Sequence, residues 1–313
     1  MKILFFVNTK LDLSDKFISG GIESLNVDLY NHFKKINKFT ILTNKITNKI
    51  VKIRWDVIVS SNDARVFNKT ISKRKILWLH NKLQIEKSFR KKQFFPILKN
   101  KIEAFFVSQY LENNTSYFYC FYKRIIISNF LLKIFAQKKI TYKSYSKKIF
   151  VWSVQREKGL DYVLNLWVNK IHPYCPRAEF HIFSIYNKNA KYFENYKIFF
   201  HGRVSRLKLI HYYKKSIGMI CLGYDETFCL NALESMSLGV PVISLGQTAL
   251  SKLLKNNKNG YKIKNIFQLE GAIKKLINLN NVERKQLIKT TIKFTEKYQA
   301  DRIFKVWEKL LLN

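Results

Sequence analysis

Two glutamates, Glu226 and Glu234, stand in the stretch DETFCLNALESMSLGVPVIS from Asp225 to Ser244, an otherwise apolar segment of a lysine-crowded chain. The spacing predicts a helix over Phe228–Leu238, with Leu230, Leu233 and Leu238 packing inward, Gly239 ending it and Pro241 preventing its continuation. The first turn of such a helix leaves backbone N–H groups unpaired and carries partial positive charge. The amides of Phe228, Cys229 and Leu230 are therefore suited to a phosphate. Glu226 lies in the loop Tyr224–Thr227, just ahead of the helix, and Glu234 follows about two turns on. Both can accept hydrogen bonds from sugar hydroxyls. A helix dipole alone would favour acids near its start by only about 0.3–1 kcal/mol each, which does not account for a pair set in one longer pattern. A phosphate held between two polyol-binding carboxylates describes a nucleotide-sugar.

Those residues need a frame that brings strand ends together. Short apolar runs recur along the chain: KILFFV, FTILTN (39–44), WDVIVSS (55–61), KILWLH (75–80), EAFFVS (103–108) and RIIISN (124–129). Helical stretches or loops separate them, the first being GGIESLNVDLYNHFKK with Ile22, Leu25, Leu29 and Phe33 at helical spacing. A second series follows: KIFVWSV (148–154), a helix starting near Lys158, AEFHIFS (178–184), KIFFHG (197–202), a helix over 205–215, GMICLG (218–223), PVISLG (241–246), GYKIK (260–264) and a helical tail. Unbroken apolar runs alternating with helices mean parallel sheets covered on both faces. The expected fold class is α/β, as two consecutive doubly wound, Rossmann-like domains facing across a cleft. The division falls in the basic, aperiodic join 130–147, giving domains 1–140 and 141–313, with the last helix, about 298–313, packing back on the first.

The pattern from Glu226-Thr-Phe-Cys-Leu through Leu233-Glu234-Ser-Met-Ser-Leu-Gly-Val-Pro-Val-Ile resembles the signature of glycosyltransferase family 4. Those enzymes are retaining transferases of the two-domain GT-B fold, and the order of elements here is similar over most of the chain. The resemblance implies transfer of a hexose-type unit from a nucleoside-diphosphate sugar to an acceptor hydroxyl. It places Glu226 on the donor sugar and Glu234 on the ribose, with domain closure excluding water. Cys229 stands where many relatives carry glycine, and it is not expected to be a nucleophile.

Three further sites agree with that resemblance. Arg156-Glu157-Lys158-Gly159 follows KIFVWSV, and in similar enzymes an arginine and the lysine of this Lys-Gly pair hold the donor diphosphate. Charge building on the leaving diphosphate is then met by two fixed cations. The glycine-arginine pair usual at that strand end is missing, Ser153-Val-Gln standing there instead. Gly20-Gly21 opens the first helix, where paired glycines let a ligand approach closely; in the family this loop faces the donor phosphates. His80, at the end of KILWLH, corresponds to a histidine near the reacting sugar and acceptor. His32, His172, His181, His201 and His211 lack such placement, His181 falling in a strand and the others on surfaces or helices. No metal is expected, because neither H-x-x-x-H nor D-x-D occurs.

The formal net charge is +36, from 57 Lys+Arg against 21 Asp+Glu. Such a field attracts polyanions, although A/T-rich codon usage also favours lysine. One segment concentrates it: KLQIEKSFRKKQFFPILKNK (82–101) carries seven Lys/Arg against one Glu, with Phe89, Phe94, Phe95 and Leu98 interleaved. Basic and aromatic residues together can lie on an anionic lipid surface, and transferases of this kind often glycosylate lipid-linked acceptors. A nucleic-acid-binding protein is the rival class, but no helix-turn-helix, RRM-type motif or zinc finger appears; a non-catalytic sugar-nucleotide-binding protein is a third. The four cysteines show no paired metal-ligand spacing and read as free thiols of a reducing compartment. With no signal-peptide pattern and no stretch near eighteen apolar residues, the expectation is a cytoplasmic protein, peripheral on the inner face of a membrane. Its pathway would be cell-surface polysaccharide, lipopolysaccharide or glycolipid synthesis.

Overall fold

The structure, a computed structural model, describes residues 1–9, 20–136, 148–185 and 190–312. The chain forms two compact units, Met1–Leu132 with Tyr298–Asn313, and Lys133–Lys297. The expected 140/141 division and most of the basic join fall in 137–147, outside the described residues.

Every strand read from the sequence forms, within a few residues of its expected bounds. In the first unit, β1 Ile3–Val7, β2 Thr40–Thr43, β3 Arg54–Ser61, β4 Ile71–Leu79, β5 Ile102–Phe106 and β6 Lys123–Ile126 make one sheet in the order β2-β1-β3-β4-β5-β6. All its pairings are parallel. β1 and β5 are buried along their whole length, whereas β6, at the edge, is half-exposed. That is why the inner strands read as unbroken apolar runs. Helix α1, Gly21–Ile36, covers β1 with Leu25, Leu29 and Phe33, the Phe33 ring lying 5.8 Å from that of Phe5. Two short helices, α2 Ile85–Arg90 and α3 Phe94–Lys99, follow β4.

The C-terminal helix, Ala300–Leu312, completes this first unit. Its Trp307 is fully buried, 4.9 Å from the Trp78 ring in an edge-on contact and 5.3 Å from Phe105. Phe304 packs on Phe130, His32 Nε2 lies 2.5 Å from Glu308 Oε1, and Arg74 donates to the Leu310 carbonyl. Aromatic burial of this kind contributes about 1.5–3 kcal/mol per side chain.

In the second unit, β7 Ile149–Trp152, β8 Glu179–Ile182, β9 Ile198–Phe200, β10 Ser216–Ile220, β11 Val242–Ser244 and β12 Gly260–Lys262 pair in the order β12-β11-β10-β7-β8-β9, again all parallel. From β7 the chain winds outward through β8 to β9, then returns to lay β10 on the other side of β7. The carboxyl ends of β7 and β10 therefore flank the point where winding reverses, the place where open α/β sheets bind ligands.

Two helix starts differ from expectation, each for a local reason. The segment at Lys158 begins as a tight turn, Arg156–Lys158, because Gly159 takes φ +104° before helix α4, Leu160–Leu166, can start. A Cβ at Gly159 would stand 2.7 Å from Leu222 Cδ1, so the β7 and β10 loops approach closely there. Helix α5 runs over Arg206–Lys215 as expected. Helix α6 covers Leu230–Ser237 rather than Phe228–Leu238, because Cys229 sits in the left-handed region at φ 67° and serves as its N-cap. Gly239, at φ +79°, ends it, packed under Ile288 of helix α7, Asn281–Thr295.

Candidate active site

The loops after β7 and β10 meet through Lys158. Its Nζ donates to the backbone oxygen of Asp225 at 3.1 Å and lies 3.4 Å from Glu226 Oε1. Both side chains are mostly buried, about one-sixth exposed. Burial pushes the Glu226 carboxyl above its usual range, and the Lys158 ammonium only partly offsets this. The backbone pins the Glu226 loop as well: the Ala249 amide donates to the Glu226 carbonyl and Thr248 Oγ1 to that of Gly223. Lys158, expected on the donor diphosphate, and Glu226, expected on the donor sugar, are thus brought together by the fold.

Glu234 lies on α6, which is buried over most of its surface. Its carboxylate is only 1% exposed; Oε1 accepts from Arg206 Nη1 at 2.6 Å, while Oε2 has no partner among the described residues. Burial again raises the carboxyl, with Arg206 opposing. Beside it, the Tyr213 hydroxyl is 2.6 Å from Ser153 Oγ and donates to the Asn231 carbonyl at 3.4 Å. Asn231 Nδ2 donates to the Ser153 carbonyl. The first turn of α6 is therefore tied to the end of β7. Leu230, expected to pack inward, is half-buried at the helix start.

The Arg156 side chain pairs with Asp161. Its guanidinium donates through Nε and Nη2 to Asp161, at 3.0–3.2 Å. Phe228 is buried and Thr227 half-buried at the mouth of α6. Cys229 takes a left-handed backbone, in which an L side chain is strained. The side chain gains a contact in return: its sulfur is 3.5 Å from Cys221 Sγ. The hydrogen bond to Cys221, with burial, pushes the Cys229 thiol well above its usual value. A neutral thiol is a poor nucleophile.

In the first unit, Gly20 is the N-cap of α1 with ordinary extended backbone at φ −96°, so the Gly20-Gly21 pair is not there to supply a left-handed turn. The Glu23 carboxylate folds back over Gly20, filling the space a Cβ there would need. His80 follows β4, where its backbone amide donates to Asn62 Oδ1 at 2.8 Å and its ring lies 4.3 Å from that of Trp78. Burial lowers its pKa to about 3, so the imidazole is neutral at physiological pH.

Three features were not read from the sequence. Arg206 is one; nothing local links the first residue of α5 to a glutamate on α6. His201 is another: expected on a surface or helix, it follows β9 half-buried, its Nε2 2.9 Å from His181 Nδ1 and the rings stacked at 5.2 Å. Burial, with the neighbouring His181, lowers its pKa to about 4. The third is the meeting of Cys221, Cys229 and Glu226, whose ligand atoms lie within 4.8 Å of one another. Cysteine spacing alone missed it, because the approach is made by the turn at Cys229.

The second unit is matched by the family described as "Glycosyl transferases group 1", over residues 134–294. No curated protein matches the chain. Among solved structures, sucrose-phosphate synthase from Thermosynechococcus elongatus is similar over 99% of this chain and 98% of its own, with a TM-score of 0.75 at 13% identity. The Anabaena protein HepE, solved in complex with UDP, is similar over 100% of both chains at 0.71 and 12% identity. The lipopolysaccharide outer core galactosyltransferase WaaB, in apo form, covers 100% of this chain and 99% of its own at 0.68 and 13%. The two parallel six-stranded sheets with flanking helices are the α/β architecture of GT-B glycosyltransferases.

Proposed function

The chain belongs to the glycosyl transferases group 1 family, and on that premise we propose that it is a family 4 retaining transferase. It moves a hexose-type unit from a nucleoside-diphosphate sugar to an acceptor hydroxyl. The observation that carries this proposal is the Lys158–Glu226 pair at the switch point, beside the start of α6. A cation and a hydroxyl-binding carboxylate held together there suit the junction between a sugar and its diphosphate. Lys158, joined by Arg156 on release from Asp161, meets the negative charge of the leaving diphosphate; the amides from Phe228 to Leu230 add dipoles aimed at it. Fixed cations make a divalent ion unnecessary. Glu226 accepts from the sugar hydroxyls, while Glu234 Oε2, with Oε1 held by Arg206, is left for the ribose. Thr227 flanks the phosphates, and Gly20 and Gly21 give the donor a close backbone approach once the Glu23 carboxylate swings off Gly20. His80, neutral, hydrogen-bonds a substrate hydroxyl. A UDP-bound protein of similar fold supports a nucleoside-diphosphate donor.

The acceptor we propose is a glycan or lipid-linked hydroxyl at an anionic membrane surface. Phe89, Phe95 and Phe118 are exposed and gather on the buried Phe94 ring, Phe89 stacked at 3.9 Å, beside the basic residues of 82–101. No helix among the described residues is long and apolar enough to cross a membrane.

A thermal-shift screen across UDP-, GDP- and ADP-sugars tests the donor. Binding to the native state alone raises Tm by mass action, so one nucleotide series should stabilise the wild type and fail on Lys158→Met. No shift with any activated sugar would end the proposal.

A further inference from the structure

Cys221, Glu226 and Cys229 frame one corner of the second unit, between the end of β10 and the start of α6. Both sulfurs are buried, 3.5 Å apart. A disulfide needs about 2.05 Å, so the thiols are unbonded. Two thiolates on one tetrahedral zinc ion, with bonds of about 2.3 Å, stand about 3.8 Å apart. The observed separation is closer to that edge than to a disulfide.

We propose that Cys221, Glu226 and Cys229 form a site for a thiophilic divalent cation such as Zn²⁺. The sulfurs need to part only slightly, and Glu226, on a loop rather than a helix, can draw its carboxylate in from within 4.8 Å. The fourth position is left for water. Binding exchanges two S–H bonds for two metal–sulfur bonds: one cation enters, two protons leave to solvent, and nothing is oxidised or reduced. Two thiolates and a carboxylate on a dication carry net −1, and the Lys158 ammonium, already 3.4 Å from Glu226 Oε1, faces that charge.

The consequence for transfer rests on the role proposed above for Glu226. A bound cation takes that carboxylate from the sugar hydroxyls and fixes the loop over 222–228, so the cation inhibits transfer. The site is thereby distinct from a catalytic metal centre.

The test uses Cd²⁺ and Zn²⁺ on the full chain carrying Cys120→Ser and Cys175→Ser, which removes the more accessible thiols. Cd²⁺ titration should give a thiolate-to-metal ultraviolet band saturating at one equivalent, with two protons released and the band displaced by Zn²⁺. Cys221→Ser or Cys229→Ser should abolish the stoichiometric band, and Glu226→Gln should weaken affinity by about tenfold or more while keeping a two-thiolate band. Circular dichroism and Tm of each variant separate loss of ligand from loss of fold. Absence of a stoichiometric band in the folded parent would overturn the proposal. So would a band unchanged in a folded Cys229→Ser variant, or an intact mass showing the pair already oxidised. Because the band is read without substrate, its failure is separable from failure of the transferase proposal; a band without inhibition would leave the site standing and remove Glu226 from the sugar.

Discussion

Lys158 Nζ and Glu226 Oε1, one in the loop after β7 and the other in the loop after β10, lie 3.4 Å apart where the winding of the second sheet reverses. Burial raises the Glu226 carboxyl despite this partner. The stability of the neutral form is therefore fully present below the ordinary carboxyl pKa and lost as pH rises through the raised value. At neutral pH the carboxylate is held at a cost. Glu226→Gln should leave Tm at pH 7 unchanged or higher while lowering transfer by about 100-fold, and Lys158→Met should lower kcat/KM by a similar factor, about 3 kcal/mol. Parallel loss of Tm and turnover in Glu226→Gln would assign the residue to structure alone.

Acid should weaken the fold through His80. Its folded pKa is about 3, against about 6.5 in an unfolded chain. Between those values the unfolded state binds more protons, so stability falls as pH falls from 6.5 toward 3. At pH 5 the loss is about 2 kcal/mol. His201, lowered to about 4, acts in the same direction. Urea melts at pH 7 and pH 5 should show a smaller difference for His80→Asn than for wild type, with a residual slope from His201. Identical pH dependence in the two proteins would mean His80 takes up its proton without unfolding.

The strands were legible because burial on both faces of a parallel sheet writes itself as unbroken apolar runs, as in ILFFV of β1 and IFVW of β7. Glu226 and Glu234 stood out in the sequence because they interrupt apolar text before and within one helix. Backbone conformation was not. Cys229 at φ 67° delays α6 by two residues and brings its sulfur to Cys221, and no periodicity signals a left-handed residue that is not glycine. Long-range polar partners were equally hidden: Arg206 reaches Glu234, and His181 reaches His201, through tertiary packing alone.

The C-terminal helix should be a structural part of the first unit. Trp307→Ala empties a fully buried site between Trp78 and Phe105, and such truncations cost about 3–5 kcal/mol. Chemical denaturation should show that loss. A change below about 0.5 kcal/mol, the range of surface substitutions, would mean the helix is only loosely attached.

Glu234 and Arg206 allow stability and donor binding to be separated. Arg206→Ala would leave a carboxylate that is 1% exposed without its cation, a loss of about 3–5 kcal/mol. Replacing both partners by apolar groups of similar size removes the stranded charge, so Arg206→Met with Glu234→Leu should recover most of the Tm. If Glu234 Oε2 is the ribose acceptor, that recovered protein must still lose the Tm increase given by its nucleotide donor. The fold would then be intact and the grip on the donor gone. Retention of the full donor shift in the double variant would make the pair a buried strut and move ribose recognition elsewhere in the second unit.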